Sequence, residues 1–148
     1  KAVKIKCLIE LSRRLAMADT RERLQFTKPE TVADYYMERL RGKETEEVIL
    51  VMTDNKNRLI CDRTLSKGTV NCSLVSPREI FLMAMEYHAV HILLIHNHPS
   101  GDASPSRQDI EITKHLAQLC GMMQLPLTDH IIVGDNCYVS FRESGLLK

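Results

Sequence analysis

The segment AVHILLIHNHPSGDASPSRQD, residues 89–109, runs an apolar stretch straight into a cluster of chemistry-bearing side chains. Its first part, AVHILLI (89–95), is a continuous apolar run of the kind found in a strand covered on both faces, which places helices on either side of a sheet. Side chains two apart on a strand point the same way, so His96 and His98 present both imidazoles together while Asn97 points away. Pro99 and Gly101 turn the chain back, a Ser-Pro pair opens the next helix, and Asp109 is expected near its second turn. A strand end and a helix start then converge on one point. Two neutral imidazoles and a carboxylate form a three-ligand zinc shell with an open fourth position, the arrangement of a catalytic site. Zinc there would lower the pKa of a water to ~7 and polarise a substrate carbonyl.

Downstream, SPSRQDIEITKHLAQLCG (104–121) reads as a helix burying Ile110, Thr113, Leu116, Ala117 and Cys120 and ending at Gly121. LTDHIIVG and CYVSF follow as two strands turned by GDN. Upstream, SPREIFLMAMEYH begins a helix with Ser76 as N-cap, Pro77 at the first helical position and Glu79 completing a capping box. EEVILVMTD and NRLICDRTL are short β-rich runs joined by DNKN, a hairpin pattern, and GTVNCSLV continues the sheet. ETVADYYMERLRG (30–42) is a helix with Val32, Tyr35, Tyr36, Met37 and Leu40 on one face, capped by Thr31 with Asp34 and stopped by Gly42. Ile5, Leu8, Ile9, Ser12 and Leu15 mark an amphipathic helix before it. The expected architecture is α/β or α+β, a mainly antiparallel sheet flanked by helices, with residues 1–28 as a helical leader and 29–148 as the main domain.

At 148 residues the chain has the size of one domain, and its 44% hydrophobic and 26% charged residues fit an ordinary globular protein. The longest apolar runs fall far short of the ~20 residues of a membrane helix, so no membrane association and a cytoplasmic location are expected. Five scattered cysteines (Cys7, Cys61, Cys72, Cys120 and Cys137) contain no C-x-x-C pair, against both a disulfide framework and a cysteine-rich zinc site. Residues 1–28 hold eight Lys/Arg against three acids, in a chain whose net charge is +1. This basic leader is a candidate DNA contact, although it lacks interleaved aromatics and a solvated helix face is the plainer reading. The bare strand edges leave room for a dimer.

The adjacent letters H-N-H do not make an HNH nuclease, whose named residues are spread over a much longer ββα element. IHNHPSGDASPSRQD instead resembles the RadC family of the JAB/MPN (JAMM) metalloprotease superfamily, whose motif is a remote Glu with H-x-H-x7-S-x2-D. His96, His98, Ser106 and Asp109 meet that spacing, and VSPREIF, GTVN, DHIIVG and YVSF match the family's pattern in order. The leader KAVKIKCLIELSRRL resembles the end of the helix-hairpin-helix region that precedes the domain in RadC proteins. The resemblance also implies the JAB/MPN fold, related to cytidine deaminases, whose H-x-E and P-C-x-x-C ligands are missing here.

By the same resemblance His96, His98 and Asp109 ligate Zn2+, and Ser106 helps hold the oxyanion formed on the attacked carbonyl. The remote acid belongs at the start of the first strand, where Glu46 is chosen as general base and Glu47, on the opposite face, is held in reserve. Ser106 could instead cap the helix with Asp109 as partner, and His130 is a candidate neighbour to a ligand. The implied function is a zinc-dependent hydrolase cutting a peptide or isopeptide bond of an unknown protein or peptide. The alternative is a DNA-associated, DNA repair-linked binding module with a structural or vestigial zinc.

Overall fold

A computed structural model of the chain describes residues 24–68 and 76–147. Its elements in order are α1 (Pro29–Leu40), β1 (Glu47–Thr53), β2 (Leu59–Lys67), α2 (Pro77–Glu86), β3 (His91–Asn97), α3 (Arg107–Met122), β4 (Leu127–Val133) and β5 (Tyr138–Ser140). The leader up to residue 23 and most of the run expected to extend the sheet (69–75) lie outside the described residues.

The five strands form one sheet in the order β2-β1-β3-β4-β5. Three pairings are antiparallel and β3 with β4 is parallel, so the sheet is mixed and mostly antiparallel. The parallel pair requires a crossover, which α3 supplies. Every residue of β1 is buried, as is all of β3 after His91. Such strands need cover on both faces, which explains their lack of polar alternation. Val48, Leu50, Met52, Ile92 and Leu94 pack on one face with Ile80 and Ala84 of α2 and Leu116 and Cys120 of α3. On the other face Ile49, Val51, Leu93 and Ile95 pack with Val32, Ala33, Tyr36 and Leu40 of α1.

The β1–β2 hairpin is present, and its turn is organised by Asp54, whose Oδ1 accepts from the Lys56 and Arg58 amides at 2.8 and 2.9 Å. Several helix ends differ from expectation. The N-cap of α1 is Lys28 rather than Thr31, because Pro29 at the first helical position has its φ already set for a helix and starts it there; lysine has no acceptor atom, so no side-chain cap forms. Ser76 is the N-cap of α2, but its side chain makes no cap bond, so no capping box with Glu79 forms. α3 starts at Arg107, after Ser106 rather than at the Ser-Pro pair, and runs one residue past Gly121. Asp109 therefore stands in the first turn of α3, where it completes a capping box with Ser106.

Candidate metal centre

Period-two alternation carries the α2/α3 face of β3 through Ile92, Leu94 and His96, and His98 continues it just beyond the strand. α3 packs on that face and brings Asp109 in from its N-terminus. One donor atom each from His96, His98 and Asp109 lies within 4.8 Å of the others. His96 Nε2 is 3.6 Å from Asp109 Oδ1, and His98 Nε2 is 3.6 Å from Asp109 Oδ2. Those edges approach the about 3.4 Å edge of a tetrahedron with metal–ligand bonds of about 2.1 Å.

The hydrogen-bond inventory tests whether a metal fits. His96 is buried and its Nε2 has no hydrogen-bond partner among the described residues, an arrangement costly for a polar atom unless something binds there. Its Nδ1 lies 3.0 Å from His130 Nε2. His98 donates from Nδ1 to the Asp102 carbonyl at 2.7 Å, which leaves a lone pair on Nε2. Asp109 Oδ2 accepts from the Ser106 amide at 2.7 Å, and Ser106 Oγ accepts from the Asp109 amide at 3.2 Å. The competition between capping and ligation thus resolves by atom: the cap takes Oδ2, and Oδ1 faces His96. An imidazole pair and a carboxylate are also a suitable donor set for zinc.

Electrostatics follow burial. Burial pushes His96 down to about 4, with the Asp109 charge opposing and His98 adding to the fall. Burial likewise pushes His130 down to about 3. His98 is raised, first by the Asp109 carboxylate 3.6 Å from its Nε2, against partial burial, with the Asp102 carbonyl and the Glu46 charge adding. Burial works to raise Asp109, but the imidazole of His98 beside it, the Ser106 bond and the nearby His96 outweigh it and hold the carboxyl well below its usual range. The metal-free site is thus a neutral buried imidazole beside an ionised carboxylate.

The two glutamates separate by the same alternation. Glu47 shares the face of Ile49 and Val51 and is engaged by Lys43 at 3.2 Å and Lys67 at 3.7 Å. Glu46, one residue before β1, falls on the opposite face, that of Val48 and His96, and its charge reaches His98. Asn97 points to the α1 side, as the alternation requires. Its amide accepts from Glu47 N at 2.8 Å and donates to the Thr45 carbonyl at 3.2 Å, which ties residues 45–47 beside the histidine loop. Sequence reading had credited Asn97 only with pointing away.

The histidine loop is itself braced. His98 N donates to the Val133 carbonyl at 3.0 Å and Asp135 N to the Gly101 carbonyl at 2.8 Å. A Cβ on Gly134 would sit 2.3 Å from the Gly101 oxygen, so only glycine permits this approach. A cavity of about 270 Å3 opens on the α1 side of the loop, lined by Arg41, Lys43, His98, Ser100 and Asp135 among others. Thr113, read from sequence only as core, and His130 stand behind the site. Its i,i+4 spacing from Asp109 is the one sequence signal that could have found Thr113.

A mixed sheet with a His-x-His at a strand end and an aspartate at the next helix start is the frame of a JAB-type domain. The chain belongs to the RadC-like JAB domain family, whose sequence profile matches residues 26–146. It is similar to a UPF0758 protein of Caldanaerobacter subterraneus subsp. tengcongensis, 43% identical over 145 residues covering 98% of this chain and 62% of that one. UPF0758 proteins of Desulforamulus reducens and Syntrophotalea carbinolica are 41% and 39% identical over 147 residues, covering 99% of this chain and 65% of each. The chain thus spans just under two thirds of the length of these relatives. Among the described residues, no helix is long and apolar enough to cross a membrane.

Proposed function

We propose that the chain is a zinc-dependent hydrolase of the JAMM metalloprotease class, cutting an amide bond, peptide or isopeptide, in a protein or peptide substrate. The observation that supports this reading is the partnerless buried Nε2 of His96, facing Asp109 Oδ1 with His98 Nε2 alongside. Zinc held by His96, His98 and Asp109 would supply a Lewis acid and a water whose pKa is lowered to about 7.

The chain's own residues supply the rest. Glu46, on the face of the triad, takes a proton from the attacking water and returns it to the leaving amine. Ser106 uses a lone pair to cap α3, so its hydroxyl proton stays available to the oxyanion on the attacked carbonyl. Glu47, held by two lysines on the other face, takes no part.

The test is Glu46→Gln beside wild type, with zinc content by elemental mass spectrometry and cleavage of a peptide-amide library. Zinc is expected to stay near one per chain while turnover falls about 10²–10⁴-fold. Wild-type turnover in the variant would remove Glu46 from the mechanism. A DNA contact through the basic residues 1–28 is a separate proposal, supported by their charge. It predicts a salt-dependent DNA affinity that disappears when Lys4, Lys6, Arg13 and Arg14 are neutralised, and salt-independent binding would sink it.

A further inference from the structure

Behind His96 runs a buried chain of contacts that returns to the site from which it starts. His96 Nδ1 meets His130 Nε2 at 3.0 Å, His130 Nδ1 meets Thr113 Oγ1 at 2.6 Å, and Thr113 Oγ1 donates to the backbone carbonyl of Asp109 at 2.6 Å. The links come from β3, β4 and α3, and the two ends are candidate ligands. We propose that Thr113 and His130 are positioning residues that lock His96 as its Nδ1–H tautomer and so aim the Nε2 lone pair at the metal. This rests on the metal-centre reading above.

Proton counting gives the direction. Thr113 has one hydroxyl proton and two contacts at 2.6 Å. Two oxygens at that distance need a proton between them, so the hydroxyl donates to the Asp109 carbonyl. Its lone pair is then left for His130, which must donate from Nδ1. His130 is buried, its ring nitrogens meet His96 and Thr113, and no carboxylate among the described residues bonds them, so it is neutral and its Nε2 carries a lone pair. His96 therefore donates from Nδ1, and its own lone pair lies on Nε2, the atom with no other partner. His98 reaches the same tautomer by another route, its bond to the Asp102 carbonyl.

The chain is a lock rather than a proton wire. It ends on a peptide carbonyl, which takes no proton onward, and Thr113 is fully buried. The His130 ring is also stacked on Phe141, with centroids 4.7 Å apart and planes 23° apart, which holds its orientation. Because both ends are ligands, the lock also ties the strand carrying His96 to the helix carrying Asp109.

The experiment is nitrogen-15 NMR of histidine tautomers in chelator-treated protein, paired with zinc affinity by competition, for wild type, Thr113→Ser and the near-isosteric Thr113→Val. Wild type and Thr113→Ser are expected to hold His96 and His130 as Nδ1–H and to bind zinc within about threefold of each other. Thr113→Val is expected to lose the fixed tautomers and about 10–100-fold in zinc affinity, the usual cost of removing such a supporting contact. His130→Gln, whose side-chain oxygen can accept from His96, should recover part of the affinity lost in His130→Leu. His96 found as Nε2–H in the wild type, or Thr113→Val binding zinc as tightly as wild type with tautomers unchanged, would overturn the lock. Wild type that takes up no zinc but keeps Nδ1–H histidines would instead overturn the metal-centre reading alone.

Discussion

Two buried aspartates, Asp109 and Asp129, show what separates a site from a scaffold. Asp129 spends both oxygens internally: Oδ1 accepts from the amides of His130 and Arg142 at 2.8 and 3.0 Å, and Oδ2 from Ser140 Oγ at 2.6 Å. Asp109 spends Oδ2 on the helix cap and turns Oδ1 toward a buried imidazole nitrogen that itself has no partner. The protonation tendencies differ accordingly. Burial dominates at Asp129 and raises it, whereas the neighbouring His98 and the Ser106 bond overcome burial at Asp109 and lower it. A buried polar cluster with matched donors and acceptors holds the fold together. One with acceptors left over has atoms that could hold a cation.

The largest effect should come from breaking the open cluster. His96→Ala and Asp109→Asn are both expected to abolish zinc uptake, read by elemental analysis. The Asn variant should keep metal-free stability within about 1 kcal/mol, because its amide can still cap Ser106 and can donate to His96. In wild type, zinc at a hundredfold its Kd should stabilise the fold by about 2.7 kcal/mol, an increment absent from both variants. Zinc uptake by either would sink the open-cluster reading.

A second break uses pH. His96 and His130 titrate near 4 and 3 when folded, below their ordinary 6.5, so the unfolded chain takes up protons first as pH falls. Metal-free stability should therefore be complete above about pH 6.5 and decline toward pH 4, by up to roughly 1.4 kcal/mol per pH unit for each histidine. His98, raised on folding, works in the opposite direction and offsets part of this. Denaturant melts from pH 7.5 to 4 check the slope, which His130→Gln should reduce. A flat profile in wild type would show that these rings are not held neutral.

Asp129→Asn tests the closed cluster. One donor there loses its acceptor, at a cost of about 1–3 kcal/mol by chemical denaturation, with zinc content unchanged. Loss of zinc in this variant would show that the two clusters are coupled. The smallest expected effect on stability is that of Ser106→Ala, about 1 kcal/mol for a lost N-cap with the metal retained.

The His-x-His spacing, the apolar run that feeds it and the Ser-x-x-Asp three residues apart were legible in sequence because strand and helix periods are local properties. They led to the mixed, mostly antiparallel sheet flanked by helices and to the triad that could hold a metal. Cap positions were less legible. A proline in the first turn and a neighbouring serine compete for the same start, and the choice depends on where the helix packs. What folding alone decided was long-range. The antiparallel register of β1 on β3 sets Val48 opposite His96 and so puts the face of Glu46, rather than that of Glu47, on the histidine side. The parallel register of β4 on β3 carries His130 to His96, and α3 brings Thr113 to meet it. No local pattern encodes those meetings, because residues 34 and 17 positions apart become neighbours only when the strands pair and the helix docks. Sequence determined which side chains could form the centre. Tertiary structure decided which oxygen, which nitrogen and which glutamate face it.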